Sequence, residues 1–175
     1  AKDLISYIKE EDSFCIGAAC YPEGHIECPD KVQDLKHLKL KADSGADFLI
    51  TQLFFDNNLY YSLLEKLDIL DVKLPVSAGI MPVINKKQIE RITGLCGASI
   101  PAKFRRILDK YGDNPEALKE AGIAYATEQI IDLLSGGAAG IHLYTMNRPE
   151  VARKIISPIT NIRSFFEEGI ENKEL

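Results

Sequence analysis

The stretch Gly136-Gly137-Ala138-Ala139-Gly140-Ile141-His142-Leu143-Tyr144-Thr145-Met146-Asn147-Arg148 decides between two architectures. Gly140–Thr145 (GIHLYT) reads as a short apolar strand with glycines in front of it and polar residues behind. A dinucleotide-binding fold places its glycine fingerprint after the first strand, where backbone N–H groups meet a pyrophosphate. Here the glycines come before a strand, so they read as the loop that returns a helix to a sheet. Thr145, Asn147 and Arg148 then fall at the strand's C-terminal end, where (β/α)8 barrels keep their sites.

Working outward, apolar runs alternate with amphipathic segments, which is the βα pattern of a parallel sheet. Phe14–Cys20 (FCIGAAC) carries no charge and ends in Tyr21-Pro22-Glu23-Gly24 turn chemistry, so it reads as a buried strand. Asp30 caps a helix in which Val32, Leu35, Leu38 and Ala42 keep helical spacing until Gly45. Phe48–Phe55 (FLITQLFF) is the second expected strand, with Gln52 inside it, and a helix follows over Asn57–Leu70. A third strand is expected over Lys73–Gly79. Asn85 and Gln88 fit the cap and N3 positions of a helix running to about Thr93. Pro101 at N1 opens another helix, and Asn114-Pro115-Glu116 combines cap, N1 proline and acidic first turn for the next. Pro149 begins the last expected helix. The fold class is therefore α/β, with four parallel βα units.

Composition limits the function classes. The 175 residues suit one domain, and a chain of this size buries about 70% of its unfolded surface, enough for a core without metal or disulfide staples. Lys and Arg number 21 against 26 Asp and Glu, a net charge of −5, with no basic stripe for a phosphate backbone, so nucleic acid is not the expected partner. No apolar run reaches the roughly 18 residues of a membrane span, and Ala1-Lys2-Asp3 opens no signal peptide, so the expected location is cytoplasmic. Cys15, Cys20, Cys28 and Cys96 form no CxxC pair and read as reduced thiols. Cys20, His25 and Cys28 do not follow a zinc spacing, and no metal is expected.

Several polar residues have both a structural and a functional reading. Tyr21, Glu23 and His25 join an aromatic, an acid and an imidazole just past a strand, able to stack on a planar ring and bond its polar edge, or simply to form a proline turn. A buried Gln52 must pair its amide, with a neighbouring backbone or with a ligand. Gln88 is explained by capping alone. Asp34 and Lys41 lie near one helix stripe; they form a solvated face, or a ribose and phosphate contact if that stripe faces a nucleotide. Arg148 at a strand-to-helix junction can clamp a carboxylate or stand in solvent.

Together FCIGAACYPEGHIE, GADFLITQLFFD, PVSAGIMPV and HLYTMNRPEVARKI, running in order from about Phe14 to Ile155, resemble the methylenetetrahydrofolate reductase family. The resemblance implies a (β/α)8 barrel that holds FAD at its C-terminal strand ends. It also implies reduction of 5,10-methylenetetrahydrofolate to 5-methyltetrahydrofolate with hydride from NADH or NADPH, a step of one-carbon metabolism that feeds methionine biosynthesis. By the same resemblance Tyr21, His25, Cys28, Asp34 and Lys41 match FAD-binding positions, and Gln52, Gln88, Tyr144 and Arg148 match folate-binding ones. His37 and Leu40 stand where some members have asparagine and arginine.

The glutamate that protonates folate N10 in this family, and the aspartate that tunes the flavin, belong to the first half of the barrel and have no counterpart here, so no catalytic residue is assigned. Four strands also fall short of eight, which need roughly 240 residues. The chain thus resembles the C-terminal half of the enzyme, and the expectation is that it is inactive by itself. The alternative is a non-catalytic half-barrel that binds a cofactor fragment or assembles with a partner chain. Homo-oligomerisation and a redox partner protein are both left open.

Overall fold

A computed structural model describes residues 1–171 and shows one sheet of four parallel strands in the order β1-β2-β3-β4. The strands are β1 (Gly17–Cys20), β2 (Phe48–Thr51), β3 (Val76–Ile80) and β4 (Gly140–Leu143). Gly17 pairs with Phe48, Leu49 with Val76, and Ser77 with Gly140, so the four C-terminal ends lie along one rim. The four expected parallel βα units are present.

Helices α2 (Lys31–Asp43), α3 (Asn57–Ile69), α6 (Pro115–Ser135) and α7 (Pro149–Ile156) make the crossovers and the return after β4. Their starts obey local chemistry: Asp30 accepts the N–H groups of Val32 and Gln33, Asn85 that of Gln88, and Asn114 that of Ala117. Gly45, at φ 106°, takes the left-handed turn that ends α2. Along β1, Ala18 and Cys20 are buried while Gly17 and Ala19 are exposed. One face of the sheet therefore packs on helices through Cys20, Leu49, Ala78, Ile80, Tyr60, Leu63, Ile130, Leu133 and Ile155, and the other stays open.

Helices α4 (Lys86–Cys96) and α5 (Ala102–Tyr111) lie between β3 and α6 and enclose a second core of Leu53, Phe55, Met81, Val83, Ile89, Phe104, Leu108 and Leu118. This core explains why the strand expected over Phe48–Phe55 stops at Thr51. Leu53, Phe54 and Phe55 are all buried, but Phe54 enters the first core and its two neighbours the second. A continuous apolar run records burial on more than one side, and the chain satisfies it here by leaving the sheet.

Other boundaries also move. The strand expected from Phe14 begins at Gly17, and the one expected from Lys73 begins at Val76. Pro101 caps α5 from outside instead of occupying its first turn. Two helices lie outside the sequence reading: α1 (Lys2–Glu11), and α8 (Thr160–Glu171), which follows a short 3-10 turn after α7. Helix α1 starts at Ala1 without a side-chain cap. Its anchor is tertiary: Lys9 Nζ binds the Asp47 carboxylate at 2.8 and 3.0 Å and the Phe14 carbonyl at 3.0 Å. Among the described residues no helix is long and apolar enough to cross a membrane.

Candidate functional site

The loop after β1 turns tightly, with Gly24 N–H bonded to the Tyr21 carbonyl at 3.1 Å, and brings His25 back beside Tyr21. Their rings meet edge to face with centroids 4.6 Å apart. Asp34, in the first turn of α2, accepts the His25 N–H at 3.2 Å and so fixes the loop to the helix. Two turns further along α2, Lys41 reaches back to the Ala19 carbonyl at 2.8 Å, with its ammonium 5.5 Å from the Tyr21 ring centroid. Tyr21, His25, Asp34 and Lys41 thus form one cluster. Cys28 sits in the same loop with its thiol 3.4 Å from the Asp30 carbonyl, an arrangement that closes the entry to α2.

Burial sets the charge of this cluster. It pulls the Lys41 ammonium below the ordinary lysine range, partly offset by the Asp34 carboxylate. It pushes the Tyr21 phenol up, and Asp34 adds to that shift. The Cys20 thiol, sealed beneath β1, is pushed up to about 12 by burial. Lys41 makes no ion pair among the described residues, so the cluster presents a half-buried cation beside a neutral phenol and an imidazole.

On the open face of the sheet a cavity of about 270 Å³ is lined by Gly17, Ala19, Tyr21, Gln52, His142 and Tyr144, among others. Gln52, just past the end of β2, donates its N–H to the Cys20 carbonyl at 2.8 Å and accepts the Leu53 N–H on its own Oε1 at 3.0 Å. Tyr144 continues β4, its N–H on the Ile80 carbonyl at 2.9 Å and its hydroxyl on the Thr51 carbonyl at 3.0 Å. Burial raises its phenol too. His142 packs edge to face on Tyr144 at 4.6 Å. The sequence reading passed over His142, although two-residue alternation places it on the same face as Tyr144.

Tyr21 belongs to both groups and joins them. Gln88 lies apart from the cavity lining, its N–H on the Asn85 cap at 3.0 Å, and Arg148 is exposed at the cap of α7. Arg148 follows Met146 and Asn147, whose φ values of 51° and 62° turn the chain sharply at the end of β4. Glu23 accepts the Ser99 N–H at 2.9 Å, so the β1–α2 loop also holds the α4–α5 connection. Among the described residues no group of three or more His, Cys, Asp or Glu side chains could hold a metal.

A phenol pair, an amide and a half-buried cation stand at the C-terminal ends of β1, β2 and β4, and a family model of methylenetetrahydrofolate reductase matches residues 1–160. The chain belongs to the methylenetetrahydrofolate reductase family. It is 34% identical over 155 residues to the 5,10-methylenetetrahydrofolate reductase of Escherichia coli, covering 89% of this chain and 52% of that protein. It is 36% identical over 158 residues to methylenetetrahydrofolate reductase 1 of Schizosaccharomyces pombe, covering 89% and 26%. A plant relative, methylenetetrahydrofolate reductase (NADH) 1 of Arabidopsis thaliana, is 37% identical over 158 residues, covering 84% and 27%. The chain thus spans about half the length of its bacterial relatives and about a quarter of the fungal and plant ones. A Clostridium thermocellum protein described as binding two copies of 5-methyl-5,6,7,8-tetrahydrofolic acid shares the fold, with TM-score 0.65 and 17% identity over 94% of this chain and 59% of that one.

Proposed function

We propose that this chain is the C-terminal half of the barrel of a flavin-dependent oxidoreductase that reduces 5,10-methylenetetrahydrofolate to 5-methyltetrahydrofolate. The observation that carries the reading is the sharing of Tyr21 between a cationic cluster and an amide-lined cavity, two adjoining surfaces suited to a nucleotide and a pterin. The donor set fits FAD: Lys41 offers a desolvated cation for phosphate, Asp34 a carboxylate for a ribose hydroxyl, and Tyr21 and His25 aromatic edges, with Cys28 in the same loop. Bound there, FAD supplies the path by which hydride from NADH or NADPH reaches the folate methylene carbon.

The chain's own residues bind and orient. The Gln52 amide reads the polar edge of the pterin, while Tyr144 and His142 form the facing wall. Arg148, exposed beside the rim, meets the carboxylate end of the folate, and Gln88 on α4 gives a second amide contact. Neutral Tyr21 and Tyr144 keep the cavity free of anionic charge beside an electron-rich ring. The general acid would come from strands beyond these four, so the chain alone is proposed to be inactive.

A second reading, a half-barrel that binds without turnover or assembles with a partner chain, is favoured by the sheet itself. Among the described residues β1 and β4 each leave one edge unpaired, and such edges are templates for further strands. Titration of the purified chain with FAD, followed by the visible absorption of bound flavin and by folate reduction with NADH or NADPH, separates the readings. Flavin binding without turnover is expected of the chain alone, and turnover once the remaining strands are supplied. Failure of flavin to bind even then would remove the oxidoreductase reading.

A further inference from the structure

Thr51 is fully buried, one of two buried polar residues among those described, the other being Gln129, and its hydrogen bonds are unusual for a strand. The β2–β3 pairing registers Leu49 with Val76 and Ile50 with Ser77 and ends there. One rung further, a parallel ladder would have the Gly79 N–H donate to the Thr51 carbonyl. Instead that N–H donates to the Thr51 hydroxyl at 2.8 Å. The carbonyl is thereby released, and it accepts the Tyr144 hydroxyl at 3.0 Å.

Tyr144 directly follows β4, two strands away from Thr51, and must cross β3 to make this bond. It crosses at Gly79. A Cβ at that position would lie 2.8 Å from the Tyr144 ring and would collide with the Thr51 carbonyl, so the crossing needs a residue without a side chain. The Thr51 hydroxyl occupies the strand's own donor, the bare Gly79 leaves a path, and the freed carbonyl fixes the far end of the phenol. His142 packs edge to face against the same ring.

We infer that Thr51 is a positioning residue, whose hydroxyl substitutes for its own carbonyl in the sheet so that the carbonyl can hold Tyr144 across Gly79 as a fixed wall of the folate cavity. The substrate part of this inference rests on the folate reading proposed above; the hydrogen-bond exchange does not. Removing the hydroxyl in Thr51→Val returns the Gly79 N–H to the residue 51 carbonyl and displaces the phenol, while the backbone pairing gains a regular rung. Thr51→Ser retains the exchange.

The test uses the full protein with 13C-labelled tyrosine rings, the Tyr144 signal being assigned from Tyr144→Phe. Thr51→Val is expected to shift the Tyr144 ring carbon that bears the hydroxyl, and Thr51→Ser to restore it. Affinity for 5-methyltetrahydrofolate should fall by roughly two- to twelvefold in Thr51→Val and by a similar factor in Tyr144→Phe, with the double variant no weaker than either, as expected of two residues acting as one unit. If Thr51→Val does not fold, the carbonyl 13C signal of Thr51 in Tyr144→Phe replaces it, and a shift from its wild-type position is expected. An unmoved signal in either experiment overturns the positioning role and leaves the folate reading standing. A moved signal with folate affinity unchanged in both Thr51→Val and Tyr144→Phe upholds the positioning and refutes the place of Tyr144 in a folate site.

Discussion

Gln52 divides its amide between fold and site, and substitutions can separate the two. Its Oε1 accepts the N–H of Leu53, which is only 5% exposed, whereas its Nε2 makes no hydrogen bond among the described residues and the side chain lines the cavity. Gln52→Ala removes both groups. Loss of the Leu53 bond costs about 0.5–1.5 kcal/mol of stability, and about 1–3 kcal/mol if that N–H stays buried without a partner. Gln52→Glu keeps an acceptor for Leu53 and replaces the donors with an anionic carboxylate oxygen. Its unfolding free energy should fall by less than that of Gln52→Ala, while affinity for 5-methyltetrahydrofolate falls by at least the worth of one neutral hydrogen bond, roughly twofold or more. Urea unfolding of each variant and calorimetric titration, in the longest soluble form of the protein that binds folate, give the two quantities. Wild-type folate affinity in Gln52→Glu would refute the assignment of the Nε2 donors to the ligand. Destabilisation of Gln52→Glu equal to that of Gln52→Ala would refute the division itself.

Arg148→Ala should leave stability unchanged, because the side chain is exposed and makes no capping bond, and should weaken folate binding by roughly ten- to a hundredfold if its guanidinium meets a carboxylate; an equal rise in the nicotinamide requirement in steady-state kinetics would point to a distorted β4–α7 junction. Lys41→Met should reduce flavin retention, measured by bound absorbance after gel filtration, without a matching loss of stability. Burial holds Lys41 below its unfolded value, so the unfolded chain binds the extra proton and the wild type gains stability as pH rises toward the ordinary lysine value of 10.5. The difference between wild-type and Lys41→Met unfolding free energies should show that gain, and a flat difference would contradict it. Native thiol labelling should modify exposed Cys15 and spare Cys20 until the chain unfolds. Because Cys20 ionises at about 12 when folded against an ordinary 9.0, its contribution to stability is intact below that ordinary value and is lost as pH climbs between the two.

Much of the architecture was legible along the chain. The caps at Asp30, Asn85 and Asn114, the Gly45 stop and the glycines before β4 act on backbone groups within a turn or two, so the sequence states them directly. The miss at α1 has the same cause in reverse: its start carries no capping side chain, and it is held by Lys9 bonding to Asp47, distant in sequence in the loop before β2. FLITQLFF misled for a different reason, since an apolar run reports burial without saying which layer provides it.

The sequence by itself determined the order of the βα units, the polar character of the strand ends and the family likeness, because each rests on neighbours in the chain. Only the tertiary structure decided which of those polar residues share a site. Tyr21, Gln52 and Tyr144 meet because β1, β2 and β4 stand in one register along one rim, while Gln88 and Arg148 are not in the lining of the cavity. Thr51 looked like one more strand residue until the sheet showed its hydroxyl on Gly79 and its carbonyl on Tyr144. The physical reason is range: capping and periodicity are set by atoms a few residues apart. A cavity wall is set by strand register and by side chains that cross between strands, and no local pattern encodes either.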